Sequence, residues 1–370
     1  MAGLAAALAA LAAAAWALGA QGGEQTTRIT VPPADVASAV PLAVLGDSNS
    51  HSYQDNVSFR PGARERGGAL RPRTLQWTEV LARLRGREID LGEWGTWGHA
   101  GAVAQGRELL GLRGDRAPRK ADYLYNFANS GAGCRDLTEG RFRQAPRLLA
   151  LMGDEPERWR RGVVVIRIGL NDWGGLLDLQ SREPAAPPVR AATATCADRI
   201  RQTLALIHAA HPETRVVIVG IGNEADDPAQ FDKWRSGAEM ANIKTALASF
   251  NGALRQLAAG NARVSFFDDL AWFEKLWGTR DAQGRPAYKT VALGSLRVTN
   301  TAGDDPRNAL VADHHAGLVW NALWAQALVI HLRDAFGLPL TPIGDKELAG
   351  FVEALVGRGV APSAVRTPGA

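Results

Sequence analysis

Four short stretches carry side chains suited to acyl transfer: Gly46-Asp47-Ser48-Asn49, the run from Asn126 to Ala132 with Ser130 and Gly131, Gly169-Leu170-Asn171-Asp172, and Asp313-His314-His315. A serine hydroxyl is a weak nucleophile until a base takes its proton. Histidine does so when a carboxylate fixes its tautomer and steadies the imidazolium. The tetrahedral intermediate also needs donors where its oxyanion forms, and backbone N–H groups beside glycine plus an asparagine amide supply them. Taken singly, each stretch has a plainer reading. Ser48 is an ordinary helix N-cap type, Gly131 suits a tight turn, and Asn171-Asp172 suits an Asx turn. Their joint occurrence points instead to a nucleophilic serine.

These residues must be held by a scaffold, and the sequence indicates one. The runs at 41–46, 162–169, 214–222 and 262–270 are short, rich in Val and Ile, and bounded by Gly or polar turn residues, as buried parallel strands are. Between them, Ile200, Leu204 and Ile207 recur at helical spacing, as do Ile243, Leu247, Phe250, Leu254 and Leu257, the latter stopped by Gly260. A last helical segment runs from Gly317 to Gly337. Strands alternating with helices predict a three-layer α/β/α sandwich around a central, mostly parallel sheet, whose strand carboxyl ends gather ligands. Ser48 and Asn171 both follow such ends. The segments at 52–73 and 275–310 break the rhythm and read as long surface loops.

Composition narrows the classes. The 370 residues are 46% hydrophobic and 22% charged, enough for a large core and unlike a disordered chain. A net charge of +4, scattered along the chain, argues against a nucleic-acid groove. The Ala/Leu-rich start, residues 1–20, ends in small residues and reads as a secretory signal, or as a short membrane anchor if uncleaved. A polar linker with a Pro-Pro pair follows over 21–40. Cys134 and Cys196 are too few for a metal site; they either pair in an oxidising compartment or stay as buried thiols. The run Gly220-Ile221-Gly222-Asn223-Glu224-Ala225 mimics a dinucleotide fingerprint, but Asp226-Asp227-Pro228 follows where a helix must open. His208 and His211 read as helix-terminal cations, and His51, paired with no other stretch, as solvent-facing. Trp94, Trp97 and Trp173 read as packing residues that could also stack on sugar rings.

The order Gly-Asp-Ser, Asn-x-x-x-Ser-Gly, Gly-x-Asn-Asp and a late Asp and His resembles the GDSL/SGNH hydrolases over residues 41–335. The run from Asp90 to Gly101 is similar to a subset of secreted bacterial members. The resemblance implies an SGNH, flavodoxin-like sandwich, with a hydrolase domain at 41–335 and a C-terminal tail at 336–370. It implies Ser48 as nucleophile, an oxyanion hole of the Ser48 and Gly131 N–H groups and the Asn171 side chain, His315 as base and then acid, and Asp313 orienting it. The family has Asp-x-x-His, whereas here the spacing is Asp-x-His with His314 between. His315 is favoured because His315-Ala316-Gly317-Leu318-Val319 matches the family's continuation; His314 is the alternative. The implied function is a secreted or periplasmic serine esterase without metal or cofactor. Its substrate is a small-molecule or carbohydrate ester, such as acetyl on carbohydrate. An O-acyltransferase, a lysophospholipase and a catalytically silent carbohydrate-binding or cell-surface protein are the alternatives.

Overall fold

A computed structural model describes residues 38–112 and 116–357. The expected signal at 1–20 and most of the linker at 21–40 lie outside them. The strands in chain order are β1 (Val40–Gly46), the short β2 (Ile89–Asp90), β3 (Trp94–Trp97), β4 (Lys120–Tyr123), β5 (Val163–Arg167), β6 (Arg215–Val219) and β7 (Val264–Phe267). β1, β2, β5, β6 and β7 make one parallel sheet in the order β2-β1-β5-β6-β7, and β3 pairs antiparallel with β4 as a separate ribbon. The four strands expected from the sequence are those from β1 to β7 with the longest apolar runs; β2 is the addition.

The main helices are α1 (Trp77–Arg85), α2 (Gly101–Leu109), α3 (Gln144–Met152), α4 (Pro187–Ala210), α5 (Gly237–Ala258), α6 (Asp269–Trp277), α7 (Leu318–Phe336) and α8 (Asp345–Gly357). Alternate strand residues face opposite cores. Ala43, Leu45, Val164, Ile166, Val216 and Ile218 pack with α3, α4 and α5, whereas Leu42, Val44, Val163, Val165, Val217 and Val219 pack with α1, α6, α7 and α8. Helices therefore cover both faces, and the sandwich has three layers. Truncating a fully buried side chain such as Leu45 to Ala costs roughly 2–5 kcal/mol in a core of this kind.

The two segments expected as long surface loops are corrected here. The segment at 275–310 is ordered: it holds β8 (Gly278–Arg280), β9 (Pro286–Tyr288), β10 (Val291–Leu293), β11 (Leu296–Ala302) and β12 (Asn308–Leu310). These strands are too short and too polar for an apolar-run criterion, yet Val291, Leu293 and Val298 drop into the α7 and α8 core. The segment at 52–73 likewise ends in a 3-10 turn at Glu65–Arg73 and is held by buried groups. Within 336–370, α8 sends Leu348 and Val352 into the same core, so part of the expected tail belongs to the sandwich. Among the described residues no helix is long and apolar enough to cross a membrane.

The sheet order sets the site. From β1 the chain moves outward to β2, then returns to the other side of β1 as β5. The carboxyl ends of β1 and β5 thus flank the point where the connections diverge, the place where open α/β sheets bind ligands.

Candidate active site

β1 ends at Gly46, where a Cβ would collide with the carbonyl of Arg167 on β5, so only glycine lets the two strand ends close up. The chain then turns at once: the N–H groups of Ser50 and His51 donate to the Asp47 carbonyl at 3.1 and 3.2 Å, and that of Asn49 to Asp47 Oδ1 at 2.9 Å. Ser48 stands half-buried on this turn. Among the described residues its Oγ makes no hydrogen bond. The turn is anchored behind by Gln54, whose N–H donates to the buried Glu79 carboxylate at 3.0 Å, and by the Ser52 hydroxyl on the same carboxylate.

Two further candidates meet beside it. The Asn129 N–H donates to the Gly46 carbonyl at 3.1 Å, which brings the 126–132 segment against the end of β1. Gly131 has φ of 77°, and nothing lies within 4 Å of where its Cβ would stand, so its backbone is open. Asn171 Nδ2 donates to the Ala132 carbonyl at 2.8 Å, which joins it to the Gly131 turn while leaving its second N–H unused. Cys134 and Cys196 form a disulfide, so of the two alternatives the sequence left, they pair. That bond ties the turn to α4, and the Cys134 N–H donates to Asp172 at 2.8 Å.

The two late histidines part company. His315 places Nδ1 3.2 Å from Asp313 Oδ1, with its side chain one-quarter exposed. His314, at φ of 65°, turns the other way and places Nδ1 2.9 Å from Asp227. The residue after His315 accepts at its carbonyl from Tyr53 Oη and Asn321 Nδ2, each at 2.9 Å. Tyr53 thereby links the Ser48 loop directly to the His315 turn.

Arg66, for which the sequence held no signal beyond its Gly-Gly neighbours, is buried in this region. Its backbone N–H donates to Asp313 Oδ2 at 3.0 Å, Nη1 donates to the same oxygen, and Nη2 donates to Ser130 Oγ at 3.2 Å. Nη1 also lies 2.6 Å from His315 Nδ1. A guanidinium only donates, so an Nδ1 engaged by it carries no proton, whereas an Nδ1 engaged by Asp313 does. Burial alone would raise the Asp313 carboxyl; the His315 hydrogen bond and the Arg66 charge outweigh it and hold Asp313 well below the usual carboxylate range.

His51 corrects the sequence reading. It is 2% exposed rather than solvent-facing. Its Nδ1 accepts the Ser130 N–H at 3.1 Å and lies 3.0 Å from Ser130 Oγ, and its Nε2 lies 2.8 Å from Asp55 Oδ2. The partner four residues on was visible in the sequence; that the 126–132 segment folds over the pair was not.

The sequence model of GDSL-like lipases and acylhydrolases matches residues 42–283. The chain belongs to the GDSL-like lipase/acylhydrolase family. Its membership places it among ester hydrolases. The matched region holds Ser48, Gly131 and Asn171, while Asp313 and His315 lie beyond it and rest on the geometry above. No match was found among curated proteins. The fold is similar to the lipase Lip_vut3 from a goat rumen metagenome, at 16% identity, with 67% of this chain and 90% of that chain covered and a TM-score of 0.35. It is also similar to a catalytic mutant of the acetylxylan esterase Axe2 from Geobacillus stearothermophilus, at 14% identity, with 81% and 95% covered and a TM-score of 0.35. Likeness this distant says nothing of substrate.

In this GDSL-like hydrolase a cavity of about 120 Å³ opens beside the candidates. Asp47 and Asn49, which flank Ser48, line it, as do Leu170, which precedes Asn171, and His314 and Ala316, which flank His315. Its wall carries groups with unmet hydrogen bonds, Asn300 Oδ1 and Trp320 Nε1. Burial pushes Asp47 up to about 6, against the Asn49 N–H and the charges of Arg167 and His315. Burial, with Asp227 and Asp47 adding to it, pushes Glu224 on the same wall up to about 7.

Proposed function

We propose that this hydrolase is a serine esterase that works through an acyl-Ser48 intermediate and releases small acyl groups, such as acetyl, from carbohydrate. The observation that carries the reading is the His315–Asp313 pair on a turn fastened to the Ser48 loop through Tyr53. The reading requires Nδ1 to donate to Asp313 rather than accept from Arg66, and Nε2 is then the free base. It takes the Ser48 proton as Oγ attacks the ester carbonyl. The Ser48 and Gly131 N–H groups and the spare Asn171 N–H receive the oxyanion. Collapse expels the alcohol, which leaves with the proton from His315; water then attacks the acyl-serine with His315 again as base, and Ser48 is restored.

The small cavity supports a short acyl group over a long chain, and its unmet donors and acceptors support a hydroxyl-bearing alcohol. The disulfide and the Ala/Leu-rich start support export to an oxidising compartment. The test is hydrolysis of p-nitrophenyl acetate by Ser48→Ala. The expected loss in kcat is about a thousandfold or more with the circular dichroism spectrum unchanged; full activity in the folded variant contradicts the reading.

A further inference from the structure

A second cavity, of about 420 Å³, lies away from Ser48, between the β3–β4 ribbon and α3. Its wall carries Trp97, His99, Arg116, Arg119, Phe127 and Arg147, and among the described residues no carboxylate. Two of these guanidinium groups are deeply buried and incompletely bonded. Arg116 is 5% exposed; its Nη2 donates to the carbonyls of Tyr123 and Leu124, while among the described residues Nε and Nη1 have no partner. Arg147 is 3% exposed; Nε donates to Glu108 at 2.9 Å and Nη1 to the Arg141 and Phe142 carbonyls, while among the described residues Nη2 has none.

Buried cationic donors without acceptors are unfavourable, and a native fold keeps them only where something meets them. Burial pushes the Arg116 guanidinium down to about 10 even though Asp122 and Asp55 attract it, so the charges nearby do not compensate it. Packing holds it in place nonetheless, with its guanidinium 4.6 Å from the centre of the Phe127 ring. Planar guanidinium forks with free N–H groups match carboxylate and phosphate oxygens. The cavity exceeds what one such group fills, and the half-buried Trp97 indole offers a flat apolar face for a ring.

We propose that this cavity binds an anionic sugar, its carboxylate or phosphate on Arg116 and Arg147 and its ring on Trp97. The site is independent of the ester chemistry, so Ser48→Ala retains it. Isothermal titration calorimetry on the full chain at low salt, with glucuronate, glucose 6-phosphate, inorganic phosphate and glucose, tests it. Saturable binding of glucuronate or glucose 6-phosphate is expected, with glucose silent and the tighter of the two acids naming the anion. Arg116→Met removes the unpaired donors. Arg119→Glu reverses an exposed charge on the rim with no buried group lost, and it covers the case in which Arg116→Met fails to fold. Either variant is expected to weaken binding about tenfold or more, and Trp97→Ala to weaken the sugar acids but not inorganic phosphate. No binding by the wild type at about 10 mM, equal binding of glucose, or affinity unchanged in Arg119→Glu overturns the proposal.

Discussion

Two serine–histidine–carboxylate sets among the described residues, Ser130–His51–Asp55 and the proposed Ser48–His315–Asp313, are built to opposite ends. Around His51 every valence is spent: Nδ1 takes the Ser130 N–H, Nε2 meets Asp55, and Asp55 Oδ1 accepts from the N–H groups of Val57, Ser58 and Ala121 at 2.8 to 3.2 Å. Around His315, among the described residues, only Nδ1 is engaged, by Asp313 and Arg66, the side chain is partly exposed, and the proposed nucleophile Ser48 makes no side-chain hydrogen bond on its turn. A general base must have a lone pair to offer when substrate arrives. His51 has already given its own to a backbone amide, so its array fastens the Ser48 loop to the Gly131 segment. The proposed function assigns the reaction to the open array. Proximity of Ser, His and Asp does not by itself mark a nucleophile; the base must also keep a ring nitrogen free.

That contrast can be broken most forcefully by exchanging its members. His315→Ala is expected to lower kcat for p-nitrophenyl acetate by about a thousandfold at unchanged melting temperature. His51→Ala is expected to leave kcat within about tenfold while lowering the melting temperature, since it strands Asp55 and the Ser130 N–H. The carboxylates follow in order. Asp313→Asn is expected to cost about a hundredfold or more in kcat, because an amide no longer fixes the Nδ1–H tautomer, and Asp55→Asn to act on thermal stability instead.

Titration sharpens the same comparison with smaller effects. Burial, and after it the Lys120 charge, hold His51 below the usual histidine value although Asp55 opposes them. The unfolded chain therefore binds the proton first as pH falls, so stability from this group is complete above about pH 6.5 and declines below it. Urea melts from pH 8 to 5 are expected to show that decline in the wild type and a flatter profile in His51→Gln. Asp47 behaves with the opposite sign. Its folded value near 6 lies above the unfolded one, so the native state binds the extra proton and stability falls as pH rises from about 4 to 6. Asp47→Asn is expected to gain of order 2 kcal/mol relative to wild type at pH 8 and almost nothing at pH 4.

Much of this was legible in the residues. The β5 and β6 strands are runs of Val and Ile almost wholly buried, so composition alone marks them, and Gly260, read as the stop of α5, lies just past its end at positive φ. Ser48 and Asn171 lie just past the ends of β1 and β5, where the sequence placed them. The sheet of β10, β11 and β12 stayed hidden because its strands are only three to seven residues long, and β10 and β11 alternate between exposed and buried. Arg66 stayed hidden for a different reason: its reach to Asp313 spans 247 positions of chain, and nothing local prepares for it. Long-range polar pairing is set by topology, which periodicity does not encode.

The central claim, that the open array and not the closed one holds the nucleophile, is met most directly by labelling the folded protein with a fluorophosphonate and mapping the adduct by mass spectrometry. A single adduct on Ser48 is expected, lost in His315→Ala and retained in His51→Gln. An adduct on Ser130, or labelling of Ser48 that survives in His315→Ala, would contradict it.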